Sequence, residues 1–173
     1  RYNFLRGLYR RQFKGMGPYK PTSDQEATIL GKDQWNWLEQ EFNKEADLRI
    51  VGTSIQALAE FTGWESWANI PHERSRLLGL IQKFSKTPTF LISGDVHRGE
   101  MAQVKLDNGL SILEVTSSGL THATTKIPPN KHRLFKPILK PHFGLIEIDW
   151  GNKITFSIKG KKGQVYRKHA VKL

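Results

Sequence analysis

Cysteine is absent from the 173 residues, so the chain forms no disulfide of its own and offers no thiolate to a metal. That absence leaves the compartment open. No apolar run approaches the roughly 20 residues of a membrane-spanning helix, and no secretory h-region follows Arg1. No segment fits G-x-x-x-x-G-K-[ST], or G-x-G-x-x-G after a strand, which removes the usual glycine-rich cradles for nucleotide phosphates. No serine sits in a G-x-S-x-G turn, so a nucleophile elbow is excluded as well. Internal repeats and low-complexity segments are also missing.

What is present is a globular composition, 38% hydrophobic and 25% charged, with 27 Lys plus Arg against 16 Asp plus Glu. The length suits one domain. The net charge of +11 raises the question of a nucleic-acid or phosphate partner. Its distribution is uneven. Residues 1–20, 126–141 and 153–173 contain no acid and hold 18 of the 27 positive charges. The intervening residues 21–125 carry a net charge of −5. Basic nucleic-acid-binding domains interleave cations with aromatics on one face, whereas here the cations flank an acidic middle. They read either as solvated loops and lysine-guarded sheet edges or as a positive rim attracting phosphorylated substrates.

Residues 1–31 read as loop with one short helix. Asp33 is placed to cap a helix whose apolar face is Trp35, Leu38 and Phe42. Residues 48–55 form a buried strand, Pro71 starts a second helix with Leu77, Leu78, Ile81 and Phe84 inward, and residues 89–93 form a second strand. Helix, strand, helix, strand in this rhythm predicts parallel α/β pairing. Asp107-Asn108-Gly109 then predicts a hairpin between strands at 104–106 and 111–115. Strands at 143–149, 154–158 and 165–167 predict an antiparallel continuation after a loop over 119–141.

Chemistry concentrates in Ser93-Gly94-Asp95-Val96-His97, at the carboxyl end of a buried strand, where open α/β sheets bind ligands. In extended backbone Asp95 and His97 project to one side, and a carboxylate beside an imidazole suits a metal ion. The alternative is that Asp95 caps backbone amides of a common Gly-Asp turn. Thr116-Ser117-Ser118-Gly119-Leu120-Thr121-His122 is either a loop satisfying its own backbone or one reaching back to that site. Residues 63–74 are dense in aromatic and ionisable side chains, which either cover a core edge or line a pocket.

The order of these pieces resembles a known family. Leu30-Gly31-Lys32-Asp33-Gln34-Trp35-Asn36-Trp37-Leu38, Arg49-Ile50-Val51-Gly52-Thr53-Ser54-Ile55-Gln56, residues 64–74, 93–97 and 114–122 are similar to the C-terminal half of PhoD-like (alkaline phosphatase D) metallophosphoesterases, most clearly over residues 24–125. The resemblance implies a calcineurin-like αββα sandwich hydrolysing phosphate esters, monoester or diester, with two metal ions at the strand ends. Calcium with iron is the pair implied. Gly94-Asp95-Val96-His97 has the spacing of the superfamily's Gly-His-x-His ligand segment, so Asp95 and His97 are the implied metal ligands. The histidine expected after the strand ending near Ser54 is replaced by Ser54 and Gln56. Gln56, Arg1, Trp67, His72, Arg74, Ser118 and His122 are candidate substrate or supporting contacts. Arg1-Tyr2 resembles the tail of the family's Asp-Thr-Arg segment, and the earlier ligands of the family have no counterpart here. The expectation is a C-terminal half-domain, inactive alone, with an exposed sheet edge awaiting its N-terminal half. The resemblance also implies export from the cell. The competing expectation is a non-catalytic module binding a polyanion such as nucleic acid.

Overall fold

The computed structural model describes residues 15–173. Helix α1 spans Gly31–Asn43 and buries Trp35, Leu38 and Phe42, the spacing read from the sequence. Asp33 does not cap it. The helix begins two residues earlier, after Leu30, and Asp33 lies in the first turn, where an acid favours the positive end of the helix dipole. Helix α2 spans Pro71–Lys83, with Pro71 at its first turn and Leu77, Leu78, Leu80 and Ile81 inward. A single 3-10 turn, Trp67–Asn69, precedes it.

Two sheets follow from the strand pattern. Strands β1 (Arg49–Thr53) and β2 (Thr89–Ser93) pair in parallel, as expected of a helix-linked crossover. Strands β3 (Gly99–Lys105) and β4 (Ser111–Ser117) form the predicted hairpin around Asp107, Asn108 and Gly109, whose φ of 86° only glycine adopts freely. β3 starts earlier than the sequence suggested, and β4 also pairs in parallel with β2, so the order is β1-β2-β4-β3. Strands β5 (His142–Asp149), β6 (Lys153–Gly160) and β7 (Val165–Lys172) make a separate antiparallel meander.

Alternation along the strands fixes the layers. Leu91, Ala102 and Ile112 face the helices together with Trp35, Leu58 and Leu77. Their neighbours Phe90, Met101, Leu113 and Val115 face the opposite way and meet Ile154, Phe156 and Ile158 of the second sheet. The result is a helix–sheet–sheet stack with two cores, one on each side of the first sheet. Residues 130–138, read as plain loop, run along the outer edge of β3 through bridges at Ile138–Gly99 and Arg133–Ala102. Among the described residues nothing pairs with the other edge of β1, where a groove of about 660 Å³ exposes Trp37 and Ile50. No described helix is long and apolar enough to cross a membrane.

One carboxylate ties the two helices. Glu73, 5% exposed, accepts hydrogen bonds from the backbone N–H of Ile29 (2.7 Å) and Leu30 (3.2 Å), the Thr28 hydroxyl (3.0 Å) and the Trp35 indole N–H. Burial alone would raise its pKa, but the bonds from Ile29, Trp35, Leu30 and Thr28 outweigh it and hold the carboxyl below its ordinary range. A carboxylate depressed by folding stabilises the fold above its unfolded pKa and loses that contribution as pH falls through the folded value. In Glu73→Gln an amide donor faces backbone donors. We expect a loss of about 1–3 kcal/mol at pH 7 in urea titrations, shrinking towards acid pH as the native carboxylate also protonates.

Candidate functional site

The loop after β2 carries the candidate ligands in a conformation that the sequence did not announce. Asp95 and His97 both have positive φ, 67° and 53°. The backbone there is therefore a tight bend and not the extended run that was expected to aim the two side chains together. A non-glycine residue in the left-handed region costs on the order of 1–3 kcal/mol and persists only where its surroundings hold it. Three bonds do so. Val96 N–H donates to Gly94 O (2.8 Å), His97 N–H to the Ser118 hydroxyl (3.0 Å), and Thr124 N–H to His97 O (2.8 Å).

The bend delivers Asp95 and His97, both exposed, to one cavity of about 530 Å³. His122 shares it, its ring 5.1 Å from that of His97 and perpendicular to it. Trp64, Glu65 and Lys126 complete the part of the wall that bears on chemistry. Asp95 supplies hard oxygen and the two histidines supply nitrogen, which suits one side of a metal ion's coordination shell. Among the described residues no group of three or more His, Cys, Asp or Glu is spaced to hold an ion by itself.

Arg98 links the bend to a buried charge network. Arg98, next to His97 and 3% exposed, donates from Nε to Glu100 (3.1 Å) and from its terminal nitrogen to Gln56 Oε1 (3.1 Å). Glu100 also accepts from Gln56 (2.7 Å), Asn130 (3.2 Å) and Arg133 Nε (2.8 Å). Burial pushes the Glu100 carboxyl up, but Arg98 and Arg133, aided by Gln56, hold it below the ordinary carboxylate range. Glu114, fully buried on the same face of the sheet, goes the other way. Burial raises it further than the hydrogen bonds from the Ala57 and Leu58 amides lower it, and Glu100 nearby adds to the rise. Of the network only Arg98 also lines the cavity.

The other candidates divide by position. Ser118 holds the His97 amide, and Gln56 is 1% exposed inside the network, donating to Thr116 as well (3.0 Å). Trp67 is core: its indole N–H donates to Thr53 Oγ1 (2.8 Å) and its ring meets Trp35 edge-on at 6.1 Å. His72 bonds Ala27 O through Nε2 (2.8 Å), and Arg74 donates to Ala57 O (2.8 Å) beside Glu60 (2.9 Å). None of these three lines the cavity. Arg1 lies outside the described residues. Arg98, Glu100, Asn130 and Arg133 were not singled out from the sequence. A visible hint was His97-Arg98-Gly99-Glu100, too much charge for the entry of a buried strand unless the charges pair.

The model of the PhoD-like phosphatase family matches residues 6–154. The chain belongs to the PhoD-like phosphatase family. Its fold agrees with the solved structure of PhoD, at a TM-score of 0.67 and 16% identity over 88% of this chain and 34% of that one. It also resembles a purple acid phosphatase from yellow lupin (Lupinus luteus) seeds, at a TM-score of 0.62 and 15% identity over 82% of this chain and 28% of that one. Both share the fold. This PhoD-like chain thus spans about a third of the length of the structures it matches. No curated protein sequence matches it. The αββα class expected from the resemblance is the class of these neighbours, and the described residues supply helices on the first sheet's outer face.

Proposed function

We propose that this chain forms the C-terminal part of a metal-dependent phosphoric ester hydrolase of the PhoD-like kind, inactive without the rest of that domain. The observation that carries the reading is the bend at 95–97. It holds Asp95 and His97 strained and exposed in one cavity that Arg98 also lines. Asp95 and His97 would hold a metal ion, with His122 beside them. Two ions, calcium and iron, are the pair the resemblance suggests. When bound, such ions supply positive charge against the phosphoryl oxygens and lower the pKa of water. The chain's own residues do the remainder. Lys126 would draw the phosphate towards the cavity, Arg98 in its lining would favour the negative charge, and His122 would pass a proton to the departing oxygen. The open edge of β1 accepts the N-terminal half, which would contribute the remaining ligands. Export from the cell fits the same reading.

A second reading is favoured by Lys153 and Lys172, which face each other directly across β6 and β7 with Lys168 further along the strand. Like charges so placed repel, and a bound polyanion would relieve them. The two readings separate on metal dependence. In the protein carrying the N-terminal half, hydrolysis of a generic phosphate ester should fall to the uncatalysed background on chelation and return when calcium and iron are restored. Activity indifferent to chelator, with salt-sensitive nucleic-acid binding, would overturn the hydrolase reading.

A further inference from the structure

We propose that Trp64 forms an aromatic wall of the Asp95–His97 cavity and selects phosphate esters that carry a flat aromatic group, such as aryl or nucleoside phosphates. The inference rests on the phosphoesterase reading and names the substrate class of that same site.

The indole is built into place from behind. Residues 17–19 lie against 62–63, with Gly17 N–H donating to Thr62 O and Tyr19 N–H to Gly63 O, both at 2.9 Å. The two segments approach so closely that a Cβ on Gly17 would fall 2.0 Å from Gly63 O and 2.6 Å from the Trp64 ring. Gly17 therefore lets backbone press directly on the indole. The indole N–H is committed to Gly15 O (3.0 Å), which fixes the ring's rotation. A ring clamped by backbone and by its own hydrogen bond offers contact area at little entropic cost on binding.

The rest of the indole borders the cavity, which also receives Asp95, His97 and His122. Lys126 Nζ lies 5.6 Å from the ring centroid, so the ring is reachable from the cavity by a charged group. The same lysine can turn to a phosphate while a flat group takes the ring. Covering a core edge does not explain this arrangement. The core tryptophans Trp35 and Trp67 are 1% and 2% exposed, whereas Trp64 is only partly buried and sits beside the candidate ligands. At about 530 Å³ the cavity is in the range of small-molecule sites, larger than a bare phosphate needs.

The test compares phenylphosphonate with methylphosphonate, two probes with the same charged head, neither carrying a P–O–C ester bond to hydrolyse. Dissociation constants are measured by calorimetry at fixed ionic strength. Stacking on a protein aromatic is worth roughly a tenfold gain or more. Phenylphosphonate should therefore bind about tenfold more tightly to the metal-loaded protein carrying the N-terminal half. The gain should vanish in Trp64→Ala, persist largely in Trp64→Phe, and be untouched in Trp150→Ala, whose ring is exposed in the turn between β5 and β6. Because Trp64→Ala removes a clamped side chain, the native protein gives an independent readout. Its Trp64 indole N–H resonance should shift with phenylphosphonate and not with methylphosphonate. Equal affinities, a preference surviving in folded Trp64→Ala, or an unmoved indole resonance would overturn the aromatic wall and leave the phosphoesterase reading standing. Binding of neither probe would overturn both.

Discussion

Asp95→Ala and His97→Ala are each expected to lower metal content and phosphatase activity of the complete enzyme by more than about 100-fold. Substitution of residues that merely support a metal ligand already costs 10–100-fold, and these two side chains are the ones proposed to hold the ion. Neither side chain carries a hydrogen bond that stability depends on; the bonds of the bend run through backbone atoms and Ser118. The bend therefore predicts opposite signs for function and stability. Asp95→Gly and His97→Gly remove a Cβ from the left-handed region, a relief of roughly 1 kcal/mol. Urea midpoints should be unchanged or higher while activity is lost, the signature of strain kept for function. Metal analysis, ester hydrolysis and denaturation on the same samples decide the matter. Full metal content and activity in both alanine variants would remove Asp95 and His97 from the site.

Much of the fold was legible because local chemistry dictates it. The spacing of Trp35, Leu38 and Phe42 gave the first helix, Pro71 the start of the second, and Asp107-Asn108-Gly109 the hairpin. The parallel pairing of β1 with β2 followed from the helix between them. What could not be read are facts about distant partners. Residues 130–138 look like loop because they contain Pro137, lysines and no alternation, yet they cover the β3 edge through bonds such as Leu134 N–H to Met101 O at 2.8 Å. Glu100 and Glu114 lie on the same face of the sheet as Ala102 and Ile112, where alternation alone predicts apolar residues. They are tolerated because Arg98, Arg133 and Gln56 reach one, and the Ala57 and Leu58 amides the other. Resemblance to a family located Asp95, His97 and His122 within the chain. It did not distinguish cavity from support, so Trp67, His72 and Arg74 stood beside them although all three are engaged elsewhere. The positive φ values at 95 and 97 were invisible for the same reason, being imposed by Ser118 and Thr124 some twenty residues or more downstream.

Glu100→Ala should be the most destabilising single change to the charge network, by about 3–5 kcal/mol in urea denaturation at pH 7. The reasoning is one of desolvation. Glu100 has a side-chain exposure of 0% and its partners Arg98 and Arg133 have 4% and 13%. Without Glu100 two guanidiniums remain away from water beside each other, and Arg98 keeps only its bond to Gln56. An exposed pair supplies the contrast. Arg76 and Glu39 meet at 2.7 Å with side-chain exposures of 46% and 44%, and Arg76→Ala should lose less than about 1 kcal/mol of ion-pair energy. Glu100→Gln keeps the shape and some acceptor capacity while removing the charge, so its loss should fall between the two. Acid should mimic that variant. The Glu100 carboxyl is held below its ordinary range, so its contribution is complete above that range and declines as pH falls through the folded value. The difference between native protein and Glu100→Gln should therefore shrink at low pH. A difference that stays constant from pH 7 into the acid range would mean that the Glu100 charge does not hold this network together.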